Sequence, residues 1–339
     1  MSTGPAGPAG PDQWPGWAVP PGTPGAPGLP GRRPVGPVPA PPGTPYDRQA
    51  RNGLQRWWRQ VLGTVVMLFG AMVVTLCLYV AAEAFAEESG LQPARPHNEE
   101  VFDAPLAEQA LGLVSLALFI PSVMLAARWL QLRPAGTLSS VTGRLRWRWL
   151  ATCAGVAAPL MVLQTGLLIL WASFTADDDL DAGGVSFPGW SSLLLSLVVL
   201  WALVPFQAAA EEYVFRGWFQ QIFGAHWNSP WPGIVISSLL FALAHGFGEL
   251  SGFALLFYSA AWWAWLCLRT GGLEATIAAH VVNNLIAFSL LAVTGELDDT
   301  GSAADAAWQA LVLELIFAPL YCLIVVRLAR RKGVAARTP

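Results

Sequence analysis

Residues 190–219 read WSSLLLSLVVLWALVPFQAAAEEYVFRGWF. About twenty apolar residues pass before the first charge, enough for one helical crossing of a bilayer. Glu211, Glu212 and Arg216 then follow within six positions. Each such charge at membrane depth costs roughly 2.5–3.5 kcal/mol on insertion scales, so charges are rarely placed there without a use. At 100° per residue Glu212 and Arg216 lie one turn apart on a shared face and can pair. Glu211 points about 100° away from Glu212 and is left without an intrahelical partner. The spacing suggests Glu212 with Arg216 as structure and Glu211 as chemistry, since a desolvated carboxylate in a cavity makes a competent general base.

The rest of the chain fits a membrane setting. Of 339 residues 54% are hydrophobic and 12% charged, about half the charged share of a soluble domain. The expected class is therefore an all-α, polytopic membrane helix bundle. Nothing in the charge pattern suits a nucleic-acid partner; the implied surroundings are lipid bilayer. Cys77, Cys153, Cys267 and Cys322 fall in separate apolar segments with no CxxC spacing. They read as small hydrophobes rather than redox or zinc-knuckle ligands.

Eight apolar segments are legible: 61–82, 107–127, 148–173, 190–219, 232–247, 252–268, 273–294 and 306–326. The fifth and sixth are short and split by Gly246, Gly248, Ser251 and Gly252, so they read as two short spans or one re-entrant hairpin; two spans are preferred. Residues 51–330 then form an eight-helix transmembrane domain. Residues 1–45 hold 15 of the 27 prolines, and 1–50 are expected to be a disordered cytoplasmic tail. Residues 331–339 form a basic C-terminal tail. With eight spans the basic residues gather on one side and acidic clusters on the other. Arg95 is the exception. The positive-inside rule then makes the N- and C-termini cytoplasmic.

Two further apolar segments carry polar groups. FALAH places His245 four residues after Phe241, and HVVNN places His280, Asn283 and Asn284 on one helix, with His280 and Asn284 at i, i+4. At 1.5 Å per residue, His280 lies ~10 Å, Glu211 ~15 Å and His245 ~20 Å from the same membrane face. Three separate segments thus reach one site, expected in the inner half of the membrane and open toward the cytoplasm.

EExxxR (Glu211, Glu212, Arg216), FxxxH (Phe241, His245) and HxxxN (His280, Asn284), in that order, resemble the CPBP family of CAAX prenyl endopeptidases and bacteriocin-processing proteins. The likeness covers about residues 190–294. It implies an intramembrane protease in which Glu211 activates water with help from His245, while His280 and Asn284 hold the oxyanion. Glu212, Arg216, Phe241 and Asn283 are supporting residues. The substrate it implies is a membrane-anchored protein or peptide, a prenylated tail being one option. Glu211, His245 and His280 also have the chemistry of a zinc triad with an open fourth position, yet HExxH is absent. Glutamate-activated water without an obligatory metal is preferred, so no cofactor is required. The competing classes are a non-catalytic scaffold or immunity protein and, with less support in the absence of internal repeats, a transporter.

Overall fold

The computed structural model describes residues 36–92, 100–175, 187–298 and 301–339. Helices make up its regular structure: α1 (Trp57–Ser89), α2 (Pro105–Ala117), α3 (Phe119–Trp129), α4 (Trp147–Thr175), α5 (Trp190–Glu212), α6 (Gln220–His226), α7 (Trp231–Ala244), α8 (Leu250–Thr270), α9 (Glu274–Thr294) and α10 (Trp308–Arg331). A π-helical turn, Tyr213–Phe219, links α5 to α6 without a break. No strand occurs among the described residues.

Seven stretches are long and apolar enough to cross a membrane: α1, α2–α3, α4, α5 through α6, α8, α9 and α10. Among the described residues the short apolar helix α7 makes up the eighth segment read from the sequence. α7 has only 14 residues, about 21 Å of helix. Pro232 fits its first turn, where a missing N–H costs nothing. Gly246, at φ +87°, ends it in the left-handed region.

Short as it is, α7 joins the two ends of the bundle. At its start, the carbonyls of Trp227 and Asn228 accept from Arg51 and Arg48 of the N-terminal segment. At its finish, the His245 carbonyl accepts from Ser302 Oγ at 2.7 Å, in the α9–α10 connection. These two segments lie at opposite ends of the helices, so 232–268 is not a re-entrant hairpin.

One end of the molecule gathers the N-terminal segment, the α3–α4, α6–α7 and α8–α9 connections, and the C-terminal segment. Gly43 N–H donates to Thr338 O at 2.9 Å and Thr338 N–H to Thr44 O at 2.9 Å. Arg146 binds the buried Glu274 at 2.7 Å, Thr270 O at 2.9 Å and Ala335 O at 2.9 Å. Tyr46 is buried, and its hydroxyl donates to the Leu138 carbonyl. The expected tail therefore stops earlier than residue 50. Residues from Gly36 onward belong to the helical body, because Tyr46 and the pairing with residues 337–338 fix them there. Residues 1–35 lie outside the described residues.

Packing uses small residues where helices approach closely. α4 meets α9 through Cys153, Ala157, Ala275, Ala278 and Ala279, all buried. Trp218, in the π-helical turn, is fully buried against α1. Its indole lies on Gly63, where any Cβ would meet the ring at 2.8 Å, and it donates to Thr64 Oγ1 at 3.0 Å. This contact sets the depth of the segment that carries the charges. Cys153, Cys267 and Cys322 are buried and Cys77 is exposed; all four are free.

Candidate active site

The π-helical turn begins one residue after Glu212. An extra residue in the turn rotates the downstream helix by about 100° relative to α5. Across this junction Arg216 Nη1 donates to Glu212 Oε1 at 2.8 Å, both side chains being fully buried. The guanidinium carbon sits 4.3 Å from the Phe241 ring centroid and 5.5 Å from that of Trp263. The pair and its two aromatic walls make up a single block contributed by α5, the π turn, α7 and α8.

His280, on α9, faces both glutamates. Its Nδ1 lies 2.9 Å from Glu212 Oε1 and its Nε2 3.7 Å from Glu211 Oε2. Glu212 is held as a carboxylate acceptor by Arg216, so Nδ1–H is the donor. Trp263 packs on the other side of this imidazole, with centroids 5.3 Å apart.

Glu211 is the more accessible carboxylate, with 14% side-chain exposure against 0% for Glu212. It does have a helix partner, contrary to the expectation from its spacing: Gln207 Nε2, one turn earlier, donates to Glu211 Oε1. Gln207 Oε1 in turn accepts from Asn284 Nδ2 at 3.0 Å, so Gln207 ties α5 to α9. Glu211 Oε2 has no hydrogen-bond partner.

Glu211 and His245 line one cavity of about 480 Å³, with Leu116, Phe119, Phe215, Phe219 and Leu240 among its walls. His245 ends α7, and its Nδ1 is 2.9 Å from the Phe241 carbonyl. A carbonyl only accepts, so this nitrogen carries the proton and Nε2 is the free one. Phe241 joins the two histidines: its ring centroid is 4.6 Å from that of His245 and 6.0 Å from that of His280. His280, Asn283 and Asn284 do not line the cavity. Asn283 is exposed and donates to Asn284 Oδ1 at 3.2 Å.

The zinc triad considered from sequence is not assembled. Among the described residues no group of three or more His, Cys, Asp or Glu is arranged to hold a metal ion. His280 is instead engaged by Glu212, and His245 by its own helix. Two further residues escaped sequence reasoning. By sequence Gln164 and Gln207 are both candidate partners for Glu314; Gln164 is the one that binds it, at 2.7 Å, together with Ser259 at 2.5 Å. Trp263 read as an interface anchor but is buried against His280. The i−4 spacing of Gln207 from Glu211 was the available signal for the first; nothing local distinguished Trp263 from Trp262 and Trp265. His97 lies outside the described residues.

Residues 190–286 match the family model described as type II CAAX prenyl endopeptidase Rce1-like. The match contains all three motifs and supports a CPBP family intramembrane protease. The chain is also 26% identical over 241 residues, 69% of its own length and 78% of the relative's, to the uncharacterized protein YyaK of Bacillus subtilis (strain 168). No solved structure matches. The apolar helices and the family match together make this a multi-pass membrane protein.

Proposed function

We propose that this chain is an intramembrane endopeptidase that hydrolyses a peptide bond in a membrane-associated protein or peptide, with Glu211 as general base. The observation that carries the reading is the buried, unpartnered Oε2 of Glu211, a residue that lines a cavity of about 480 Å³ together with His245.

The geometry suggests where water sits. Glu211 Oε2 and His280 Nε2 are 3.7 Å apart, too far for a direct hydrogen bond. An oxygen about 2.8 Å from both atoms bridges them at ordinary hydrogen-bond length. Glu211 takes a proton from that water, and the oxygen attacks the scissile carbonyl carbon. Negative charge moves onto the carbonyl oxygen, where the Asn284 amide is the nearby donor, and the His280 ring can join it only with a proton on Nε2 as well as on Nδ1. Asn284 Nδ2 gives one hydrogen to Gln207 and has a second to offer. The proton passes to the leaving nitrogen through Glu211 or the free Nε2 of His245, and the C–N bond breaks to give a carboxylate and an amine. Glu212 and Arg216 are positioning residues, since they set the tautomer and angle of His280. No step runs through a metal.

By the positive-inside rule, the arginine-rich end faces the cytoplasm and both termini lie there. The apolar lining of the cavity suits a substrate delivered from the membrane, a prenylated tail among them. A second reading is a non-catalytic binding protein. It is favoured by one observation: His280 and Asn284 are already bonded inside the protein.

The test is cleavage of a membrane-peptide library by the purified protein and by Glu211→Gln, each with and without a strong chelator. The expected result is turnover by the wild type that survives chelation and is lost in Glu211→Gln. Unchanged turnover by Glu211→Gln overturns its role as base. Loss on chelation puts a metal at the site after all, and no turnover by any sample supports the binding protein.

A further inference from the structure

A second cavity, of about 290 Å³, lies at the arginine-rich end, between the last turns of α8 and α10 and the two terminal segments. Arg269 of α8, Arg330 of α10 and Arg337 of the C-terminal segment line it. Three arginines thus line one space from three separate pieces of chain, and no carboxylate is in the lining. Like charges brought together raise one another's energy unless an anion joins them.

No side-chain carboxylate lines the cavity to join them, although the charge of the buried Asp47 reaches Arg337. In the segments that build this end, residues 36–59, 128–148, 224–230, 269–274 and 327–339, the acids are Asp47 and Glu274. Glu274 is fully buried against Arg146, and Asp47 is buried beside Arg48. Arg269 rests on the Trp265 ring, 5.0 Å from its centroid. Arg337 Nη1 donates to the Gly43 carbonyl at 2.9 Å. Neither of these contacts neutralises its guanidinium. Arg330 is exposed and forms no ion pair among the described residues.

The remaining walls are apolar: Leu268, Val326, Ala329 and Val334 among them. Leu268 and Val326 belong to α8 and α10, which continue from here into the membrane-spanning body. A cationic mouth above an apolar cleft at a membrane surface is complementary to a molecule with a phosphate head and acyl tails. A small cytosolic anion leaves the apolar half unused.

We propose that this cavity binds an anionic phospholipid, its phosphate among Arg269, Arg330 and Arg337 and an acyl chain against Leu268 and Val326. The site is separate from the glutamate–histidine cluster and does not rest on the protease reading. It requires only that the protein sit in a bilayer.

The experiment measures binding of fluorescent phosphatidylglycerol to the purified full-length chain in uncharged detergent. Phosphatidylcholine is the neutral comparison, and inorganic phosphate the competitor. Phosphatidylglycerol should bind at least tenfold more tightly than phosphatidylcholine, with inorganic phosphate unable to displace it at equal concentration. Near a membrane surface each Lys or Arg contributes about a fivefold change in binding. The single variant Arg330→Gln removes no side-chain hydrogen bond or ion pair among the described residues, so it should fold normally and weaken binding about fivefold. The triple variant R269Q/R330Q/R337Q should abolish the preference. The charge-matched triple R148Q/R331Q/K332Q, whose residues do not line the cavity, should change affinity less than twofold.

Equal losses from the two triples mean diffuse attraction to a positive surface and overturn the site. Displacement by inorganic phosphate makes it a free-anion site and overturns the lipid assignment. Equal binding of phosphatidylcholine, or an unchanged affinity in Arg330→Gln, also overturns it.

Discussion

Glu212 and Glu211 are adjacent yet live in different surroundings, and their variants should separate stability from chemistry. Glu212→Gln leaves the Arg216 guanidinium fully buried without a countercharge. The expected cost is about 3–5 kcal/mol, read as a lower thermal midpoint in detergent. Replacing both partners by apolar groups, Glu212→Leu with Arg216→Met, should recover most of that stability, because no orphaned charge remains. It should not recover turnover, since His280 then loses the acceptor on Nδ1. Glu211→Gln is the opposite case. It should leave the midpoint near wild type and lower turnover by about 10²–10⁴, the usual worth of a general base. Gln207→Leu lies between the two. It strips one partner from Glu211 and one from Asn284, so part of the loss should appear in kcat and about 1–3 kcal/mol in stability.

At the scale of elements, two backbone devices hold the site. The π-helical turn carries Arg216 and Trp218 to opposite tasks within three residues, one toward α7 and α8, the other onto α1. A hydrophobic period of 3.6 does not reveal such an insertion, which adds one residue without altering composition. The second device is glycine. At Gly252, in the first turn of α8, any Cβ would lie 2.0 Å from the Ala304 carbonyl oxygen. The absence of that atom lets the Ala303–Asp305 turn dock on α8 beside His245, where Ser302 meets the His245 carbonyl. Gly252→Val should push this turn away at a cost of about 1–3 kcal/mol. Hydrogen exchange at Ala304 should accelerate; unchanged protection there would show that the turn does not depend on the close approach. The same docking shows why the fifth and sixth apolar segments are two crossings, a matter of pairing between residues 245 and 302.

The whole molecule is closed at its arginine-rich end by Arg146, which reaches Glu274, Thr270 and Ala335 from a single side chain. Arg146→Gln leaves Glu274 buried and unpaired. The expected loss is about 3–5 kcal/mol, with the segment around residues 334–338 becoming accessible to protease. Sidedness is checked in a Cys77→Ser background, since Cys77 is the exposed native thiol. A cysteine placed at Arg337 should react with an impermeant maleimide only from the cytoplasmic face, and one placed at Ser302 should not react from that face. The reverse pattern would invert the assigned orientation while leaving the bundle unchanged.

Much of this protein is determined by its sequence alone. Long apolar runs must become helices in lipid, because every backbone group there needs an internal partner. Charges that survive inside such runs, at Glu211, Glu212 and Arg216, must find partners or work, and the i, i+4 spacing named the Glu212–Arg216 pair in advance. The loop charges likewise sorted the chain into a basic and an acidic side. Only the tertiary structure decided the rest. It tied the two ends of α7 to opposite ends of the bundle, placed residues 36–50 in the body, and paired Glu211 with Gln207. It also set His280 between two carboxylates rather than in a metal triad, and drew Trp263 against that ring. These outcomes depend on contacts between residues far apart in the chain, and on an inserted turn that changes which face a side chain presents. Local spacing carries neither.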